Sequence, residues 1–492
     1  MPLVGGGLDL GRSQTTPNLG LMLLGFGRGE GAKARFLRAL RCALPPQGAV
    51  RMRPDHYQCE AIKGNTMHQK AESDEATADG AAPVAMSGGR IASLDFIRGV
   101  AVLGILAANI VAMGQPFPAY MYPEAFTTGH SQAEDAMWVA QLVLIDGKMR
   151  GLFTLLFGAG VYLFMERAWA KGATVWLQVK RLLWLAIFGL VHFFLIWRGD
   201  ILFSYAVAGL LALVFLQFSA RQQLTIGVLG YLVGGIFYAI SMVFMQVAAD
   251  GPTPRQAEMA TVQQELQSAA EADLADGRRE TVIRQDGSYT QFVAHTVSAH
   301  GTDPLSSSWL VIFETLPLML IGMALYRYGL FEGGLDRRRQ RLWGWVGLLG
   351  GGLLTGWIGL STLENGFTYY STLSAFLGTS HLPRLFMSLG YVALLALYAP
   401  RAGNWLGDRL SAAGRAAFTN YLGASIVMLM VFGNWGLDLF GMFGRSELYL
   451  VVLASWVIML AWSKPWLERF RYGPLEWLLR CLTYGRVFSF RR

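Results

Sequence analysis

The chain has 492 residues, of which 53% are hydrophobic and only 15% are charged, and its formal net charge is +8. Soluble domains carry about a quarter charged residues, so this composition excludes an ordinary soluble protein and indicates a polytopic membrane protein. The three cysteines form no CxxC pair, which argues against a disulfide framework and against a zinc site.

Residues 1–89 contain Gly, Pro, Arg and small polar residues without a sustained apolar period, so we expect a disordered N-terminal extension. This segment lacks the charged start, apolar stretch and cleavage site of a signal peptide. Met86 lies just before the first apolar run, and translation that started there would leave the upstream part unmade.

From residue 90 onward the apolar runs predict an all-α integral membrane bundle of about ten transmembrane helices. The predicted spans are 96–115, 150–167, 182–198, 200–218, 224–247, 308–328, 342–363, 383–400, 416–434 and 447–464. A short stretch at 367–379, rich in Ser and Thr, predicts a re-entrant or interfacial segment. We divide the chain into an N-terminal five-helix half at 90–247, a polar loop at 248–307, a C-terminal half at 308–485 and a basic tail at 486–492.

The loops between the spans alternate in charge. Every even-to-odd connection and the tail are rich in Arg and Lys, whereas the alternate connections carry most of the Asp and Glu. The positive-inside rule then predicts that both termini are cytoplasmic and that loop 248–307 is extracytoplasmic. Within this loop we expect a helix over 255–276 and a β-hairpin around Asp286 and Gly287.

A candidate site lies at the predicted cytoplasmic end of span one. Asp95 and Arg98 are three residues apart, so they share a helix face and can pair. They are either a helix cap with a snorkelling arginine, or a binding site for a phosphate-bearing donor. In the second case Arg415 and Asn420, at the start of span nine, would help to hold the donor.

A second candidate site lies where spans three and four meet. His192 lies inside the first of these apolar runs, and Asp200 opens the second after a three-residue connection. Ionisable groups are expensive at membrane depth, which makes both residues functional candidates. Asp200 is otherwise explained as a helix cap, and His192 as an interhelical hydrogen-bonding group. The functional alternative is a general base whose tautomer is held by a carboxylate.

Other polar residues fall at or near the predicted outer end. We assign acceptor binding to Asn109, Asp146, Lys148, Arg150, Trp197, Arg198 and Glu314. A structural role is equally compatible with several of them, because a lone Asn usually bonds between helices and neighbouring charges often form surface ion pairs.

Five stretches of the chain resemble the successive signatures of a known family. They are LDFIRGVAVLGILAANI at 94–110, KMRGLFTLLFGAGVYLF at 148–164, the run containing His192 at 181–211, GRAAFTNYL at 414–422 and YGPLEWLLRCLTYG at 472–485. The family is the YeiB-like group of bacterial membrane proteins, domain of unknown function 418. Its first spans are similar to those of transmembrane acyltransferases of the heparan-glucosaminide N-acetyltransferase type, which move an acyl group from a cytoplasmic thioester to an acceptor across the membrane.

The resemblance implies a multi-pass protein of the bacterial cytoplasmic (inner) membrane. Together with polar clusters at both ends of an otherwise apolar bundle, it favours a transferase that passes an acyl or similar group to an envelope carbohydrate, lipid or small molecule. His192 would be the base, Asp200 would orient it or bind the acceptor, and Asn109 and Lys148 would polarise the acyl carbonyl. The alternatives are a transporter or flippase for a small polar or lipid-linked substrate, and an envelope scaffold without turnover.

The same interpretation fixes the expected partners. We expect an acyl thioester such as acyl-CoA as co-substrate, no permanently bound cofactor and no metal. The lipid bilayer and a small-molecule, lipid or glycan substrate are the expected partners, and nucleic acid is not. A homo-oligomer is compatible with the sequence.

Overall fold

The computed structural model describes residues 91–252, 257–307, 311–399 and 403–492, and the predicted extension at 1–89 lies outside them. Within these ranges the protein is all-α, as predicted, and the one extended pairing is an isolated antiparallel bridge between Phe470 and Arg491. This bridge folds the basic tail back onto the end of the last long helix.

The helices differ widely in length, and two segments have π geometry. In chain order they are α1 (Ala92–Gly114), α2 (Gln132–Leu144), α3 (Lys148–Trp169), α4 (Trp176–Leu195), α5 (Leu202–Ala212), α6 (Ala220–Asp250), α7 (Ala257–Asp286), α8 (Tyr289–His300), α9 (Asp303–Ser306), π1 (Val311–Thr315), α10 (Leu316–Arg327), α11 (Arg337–Glu364), α12 (Tyr369–Leu373), π2 (Ser374–Thr379), α13 (His381–Tyr398), α14 (Trp405–Arg415), α15 (Ala417–Phe432), α16 (Arg445–Arg469) and α17 (Pro474–Tyr484). Short 3-10 turns at 117–120, 123–125, 213–215 and 330–332 connect them.

Six helices of the described ranges, α1, α4, α6, α11, α13 and α16, are long and apolar enough to cross a bilayer. The pair α14 and α15, bent by 83° at its break, adds a seventh span if it is counted as one. The predicted number of ten is therefore not confirmed. The predicted span 200–218 contains the 11-residue α5 and a 3-10 turn, and the predicted span 308–328 contains π1 and the 12-residue α10.

Two of the long helices expose continuous apolar faces. On α6, Leu229, Val233, Ile236 and Ile240 recur at three- and four-residue spacing and are 54–66% exposed. Leu353 on α11 is 77% exposed. Soluble proteins rarely expose apolar stripes of this extent, whereas a bilayer requires them. The chain is a membrane protein whose outer helical faces contact lipid.

Helix α1 lies at the centre of the bundle, with 18 of its 23 residues buried. It approaches α14 through glycines. A Cβ atom on Gly99 would lie 2.0 Å from the carbonyl oxygen of Leu410, and a Cβ atom on Gly414 would lie 1.8 Å from that of Asp95. Only glycine permits this backbone contact, which fixes Asp95 and Arg98 beside the end of α14.

The polar segment between α6 and π1 is helical. The predicted helix over 255–276 is confirmed from Ala257 onward and continues to Asp286, but the predicted β-hairpin is wrong. Gly287 joins two helices here, because a capping box starts α8. The Ser288 hydroxyl accepts from the Gln291 amide, and the Ser288 amide donates to the Gln291 side-chain oxygen. The capping box favours a helix start at this turn and outweighs the strand preference of the β-branched residues that precede it.

Candidate functional site

A cavity of about 340 Å³ lies at the end of the bundle where α1 begins. Most of the charged residues in its wall are cations. The lining includes six arginines, Arg98, Arg167, Arg181, Arg415, Arg471 and Arg480, and two carboxylates, Asp95 and Glu476. Counted over the described residues, the wall thus carries a formal surplus of four positive charges, which suits a ligand with several negative charges. We call this space the basic cavity.

Arg98 lies at the wall of the basic cavity. Its Nη1 atom lies 3.4 Å from Asp95 Oδ1, and 28% of its side chain is exposed. Helix α1 begins without a side-chain cap, so Asp95 serves to pair with Arg98. The exposed part of this guanidinium can form charge-assisted hydrogen bonds with a phosphate in the cavity.

The C-terminal helix α17 closes one side of the basic cavity through Glu476. This carboxylate accepts hydrogen bonds from the Phe418 amide at 2.8 Å, the Thr419 amide at 3.1 Å and the Thr419 hydroxyl at 2.6 Å. It therefore caps the start of α15 from another helix. Burial raises the pKa of Glu476 above its usual range, against the opposing effect of these hydrogen bonds. Because Glu476 already occupies these amides at the start of α15, an anion in the cavity must be bound by the arginine side chains instead.

Three of the four predicted donor residues, Asp95, Arg98 and Arg415, line the basic cavity. The fourth, Asn420, is absent from its lining. The Asn420 amide instead donates to the Ala413 carbonyl and the Ser463 hydroxyl, and its oxygen accepts from Trp462 at 2.9 Å. Its geometry is that of an interhelical hydrogen-bonding residue joining α14, α15 and α16.

His192 and Asp200 form the pair that the sequence suggested. His192 Nδ1 lies 2.8 Å from Asp200 Oδ1, and the second carboxylate oxygen accepts from the Phe203 amide at the start of α5. An ionised carboxylate only accepts hydrogen bonds, so in the neutral imidazole this contact assigns the proton to Nδ1 and the lone pair to Nε2. Nε2 is buried and has no hydrogen-bond partner among the described residues. The helix cap and the oriented imidazole thus coexist.

Neither His192 nor Asp200 lines the basic cavity. His192 is fully buried, and its ring centroid lies 5.2 Å from that of Tyr421 and 6.2 Å from that of Trp197. Phe418 lies in the cavity wall, three residues before Tyr421 on α15. One helical turn, a rise of about 5 Å, therefore connects the cavity wall to the ring that covers His192.

A second buried charged group joins α3, π1 and α13. Glu314 Oε2 accepts from Arg150 Nη2 at 2.6 Å, and Glu314 Oε1 accepts from Arg384 Nη1 at 3.1 Å. Gly147 makes room for this contact, since it has a φ of +69° and a Cβ atom there would lie 2.2 Å from Arg384 Nε. We call these three residues the Arg150–Glu314–Arg384 cluster. It lies ten residues before Gly160 on α3, about 15 Å from the basic cavity along the helix axis.

Three of the remaining predicted acceptor residues, Lys148, Asp146 and Trp197, have structural contacts of their own. Lys148 is fully buried and donates to the Leu142 carbonyl at the end of α2. Asp146 is also buried and accepts from Gln141 at 3.0 Å. Trp197 donates to the Ala112 carbonyl at 3.2 Å, and Asn109 is half-buried on α1.

Arg198 belongs to an ion-pair network at the opposite end of α1 from the basic cavity. It contacts Asp276 at 3.3 Å and Glu280 at 3.0 Å, and Glu280 also binds Arg284 at 2.9 Å. Burial alone would raise the pKa of Glu280, but the charges of Arg198 and Arg284 outweigh it and lower that pKa. The network fastens α7 to the turn between α4 and α5.

Asp276 in this network also contacts two histidines. One ligand atom from each of Asp276, His295 and His300 lies within 4.8 Å of the others, which is compatible with a metal ion. However, Arg198 Nη1 already lies 2.8 Å from His300 Nε2 and 3.3 Å from Asp276 Oδ2. A guanidinium therefore takes the place that a cation would need. We interpret the group as part of the ion-pair network.

Several residues with a place in these sites were missed by the sequence analysis. Arg167, Arg181, Arg471 and Arg480 were used only as indicators of topology, yet they line the basic cavity. Arg384 and His381 lie in the first turn of α13, and both are buried. An ionisable group at the edge of an apolar run was the available signal for them.

The fold and its buried charged groups define a class: multi-pass α-helical membrane proteins with polar sites inside the bundle. Comparisons with known proteins identify the family. The family profile described as "Protein of unknown function (DUF418)" matches residues 325–486. The uncharacterized protein YeiB of Escherichia coli (strain K12) is 32% identical over 406 residues, covering 80% of this chain and 96% of its own. The chain belongs to this YeiB-like family.

Two further relatives come from other bacteria. The uncharacterized protein YxaH of Bacillus subtilis (strain 168) is 31% identical over 414 residues, covering 80% of this chain and 94% of its own. An uncharacterized 39.9 kDa protein encoded in the amylase 3' region of Bacillus acidopullulyticus is 28% identical over 418 residues, covering 81% of this chain and 95% of its own. The similarity therefore extends over nearly the whole length of each relative.

Proposed function

We propose that the protein is a membrane-bound transferase that takes an acyl group from a phosphate-bearing thioester, such as acyl-CoA, and passes it to an envelope acceptor. The observation that carries this proposal is the basic cavity, with six arginines against two carboxylates. A CoA thioester carries a pyrophosphate and a ribose phosphate, and arginine is the residue that best pairs with such groups. The distribution of basic loops supports a cytoplasmic donor and an extracytoplasmic acceptor.

In this proposal the His192–Asp200 pair supplies the base. Nε2 takes the proton from a hydroxyl or amine of the acceptor as that atom attacks the thioester carbonyl, and the imidazolium then gives the proton to the departing thiolate. Asp200 holds Nδ1–H and stabilises the transient positive charge, as its 2.8 Å contact allows. The rings of Tyr421 and Trp197 must move for the substrates to reach Nε2.

Thioester cleavage by the purified protein tests this function. Detergent-purified protein is incubated with acetyl-CoA and a membrane glycan and lipid extract, and thiol release is followed. We expect His192→Ala to reduce release to the background rate while the protein elutes as a folded species. His130→Ala is the matched control, because His130 pairs with Glu124 and Asp135 in a separate part of the chain. Full activity of His192→Ala would contradict the assigned base.

A specific observation favours transport as the second candidate function. The π segments interrupt helices next to buried charge: Glu314 lies in π1, and the Phe376 carbonyl in π2 accepts from Arg384. Interrupted helices around a buried charged site are typical of secondary transporters. Transport predicts solute uptake into proteoliposomes in the absence of any acyl donor, which the transferase does not.

A further inference from the structure

The Arg150–Glu314–Arg384 cluster has more positive than negative charge in a buried place. Two guanidiniums share one carboxylate, and among the described residues Glu314 is the one acidic side chain that bonds to either of them. The side chain of Arg384 is 2% exposed and that of Glu314 is 10% exposed. The three residues carry a formal surplus of one positive charge, and such a surplus beside the buried Arg384 is costly unless a counter-ion accompanies it.

Polar atoms without hydrogen bonds lie on the same helix face as Arg384. They are Arg384 Nε, the Ser388 hydroxyl and both ring nitrogens of His381, all buried and without a partner among the described residues. His381 and Ser388 are three residues before and four residues after Arg384 on α13, so the three side chains share a face. Buried polar groups are normally satisfied, and several orphans together indicate a bound polar partner.

Access to the cluster is from the side of Arg150. Arg150 donates to Glu314 through Nη2, and 39% of its side chain is nevertheless exposed. On the protein side of Arg150 the side chains are buried: Tyr205 is 1% exposed, and its hydroxyl donates to the Arg150 carbonyl at 3.1 Å. Arg150 is thus a guanidinium that protein supports on one side and leaves open on the other.

We infer that this cluster binds a small molecule through a single carboxylate group, with Arg150 as the forked donor and Arg384 as the second cation behind it. One carboxylate cancels the surplus charge, and a planar guanidinium pairs with it through two parallel hydrogen bonds. The Ser388 hydroxyl and the His381 ring then bond to polar groups on the rest of the molecule. This inference rests on the proposed function, in which the carboxylate-bearing molecule is the acceptor.

Thermal unfolding of the detergent-purified protein tests the inference with sodium acetate and sodium benzoate as probes, against sodium chloride at equal ionic strength. We expect the carboxylates to raise the melting temperature in a saturable way that chloride does not reproduce. Arg150→Gln removes the fork and should weaken the apparent affinity at least about tenfold, the effect of one charge-assisted hydrogen bond. Arg221→Gln, an exposed arginine at the start of α6, is the matched control and should respond as the wild type does.

Three results would overturn the inference. They are equal responses to chloride and carboxylates, a normal response of Arg150→Gln, and a larger response to inorganic phosphate than to either carboxylate. If Arg150→Gln does not fold, Arg150→Lys keeps the charge and loses the fork, and it should show the same weakened response. A thermal response to carboxylates without thioester cleavage would support this binding site and refute the transferase. Thioester cleavage without a response to carboxylates would support the transferase and refute this binding site.

Discussion

Replacing Arg98 by Gln removes one guanidinium from the wall of the basic cavity and leaves its partner Asp95 in place. Arg98 contacts Asp95 at 3.4 Å, and 28% of its side chain is exposed. A hydrogen bond to a charged group contributes about 1.5–3 kcal/mol, and about 1.4 kcal/mol is a factor of ten in affinity. Five arginines remain in the wall. We therefore expect the affinity for acetyl-CoA to fall by roughly tenfold, the low end of this range.

Equilibrium dialysis of labelled acetyl-CoA against the detergent-purified protein measures this change. Asp95→Asn should act in the opposite direction, because it removes a carboxylate that competes with the phosphates for Arg98. Raising the salt concentration should weaken binding to the wild type more than to Arg98→Gln, since one charge contact has been removed. An affinity of folded Arg98→Gln within twofold of the wild type would refute the assignment of Arg98 to donor binding.

Two further predictions concern the scaffold. A Cβ atom on Gly414 would overlap the backbone of α1, so Gly414→Ala should cost about 1–3 kcal/mol of stability or more in thermal unfolding, whereas Gly423→Ala, with open space around it, should cost nothing. In the folded protein the pKa values of Asp276 and Glu280 are lowered from 3.8 and 4.5, so the stability that these carboxylates contribute to the fold is lost as the pH falls below those values. The pKa of His300 is raised from 6.5, so the stability that it contributes is lost as the pH rises above 6.5. Amide protection of α7, corrected for intrinsic exchange, should therefore be greatest between pH 4.5 and 6.5, and His300→Gln should abolish the decline on the alkaline side.

Apolar periodicity and charge predicted the fold class because the bilayer imposes them directly. The number of spans was harder to predict, since a run such as 200–218 is apolar enough to span and yet contains an 11-residue helix. Buried bundle interiors and lipid-facing surfaces are both apolar, so hydropathy does not distinguish them. The prediction of a β-hairpin around Asp286 was wrong for another reason. Thr281, Val282 and Ile283 favour a strand. The buried Glu280–Arg284 ion pair has helical spacing, however, and the cap at Ser288 also favours a helix.

The candidate sites also divide into contacts that the sequence predicts and contacts that only the fold reveals. The pairing of His192 with Asp200 followed from a short connection between two apolar runs. The pairing of Arg150 and Glu314 with Arg384 joins residues more than 60 positions apart and needs the fold. The arginines of the basic cavity were visible in the sequence, but the positive-inside rule already explained them, and only their convergence on one space indicates binding.

The central claim is that a group leaves a thioester bound in the basic cavity and enters an acceptor on the other side of the membrane. Proteoliposomes with a membrane lipid and glycan extract inside, and acetyl-CoA labelled in the acetyl group outside, test it directly. Protein molecules whose basic cavity faces outward should transfer the label to a product inside the vesicles. We expect no labelled product inside vesicles that contain His192→Ala. Label that stays on CoA in the presence of folded wild-type protein and the complete extract would contradict the account.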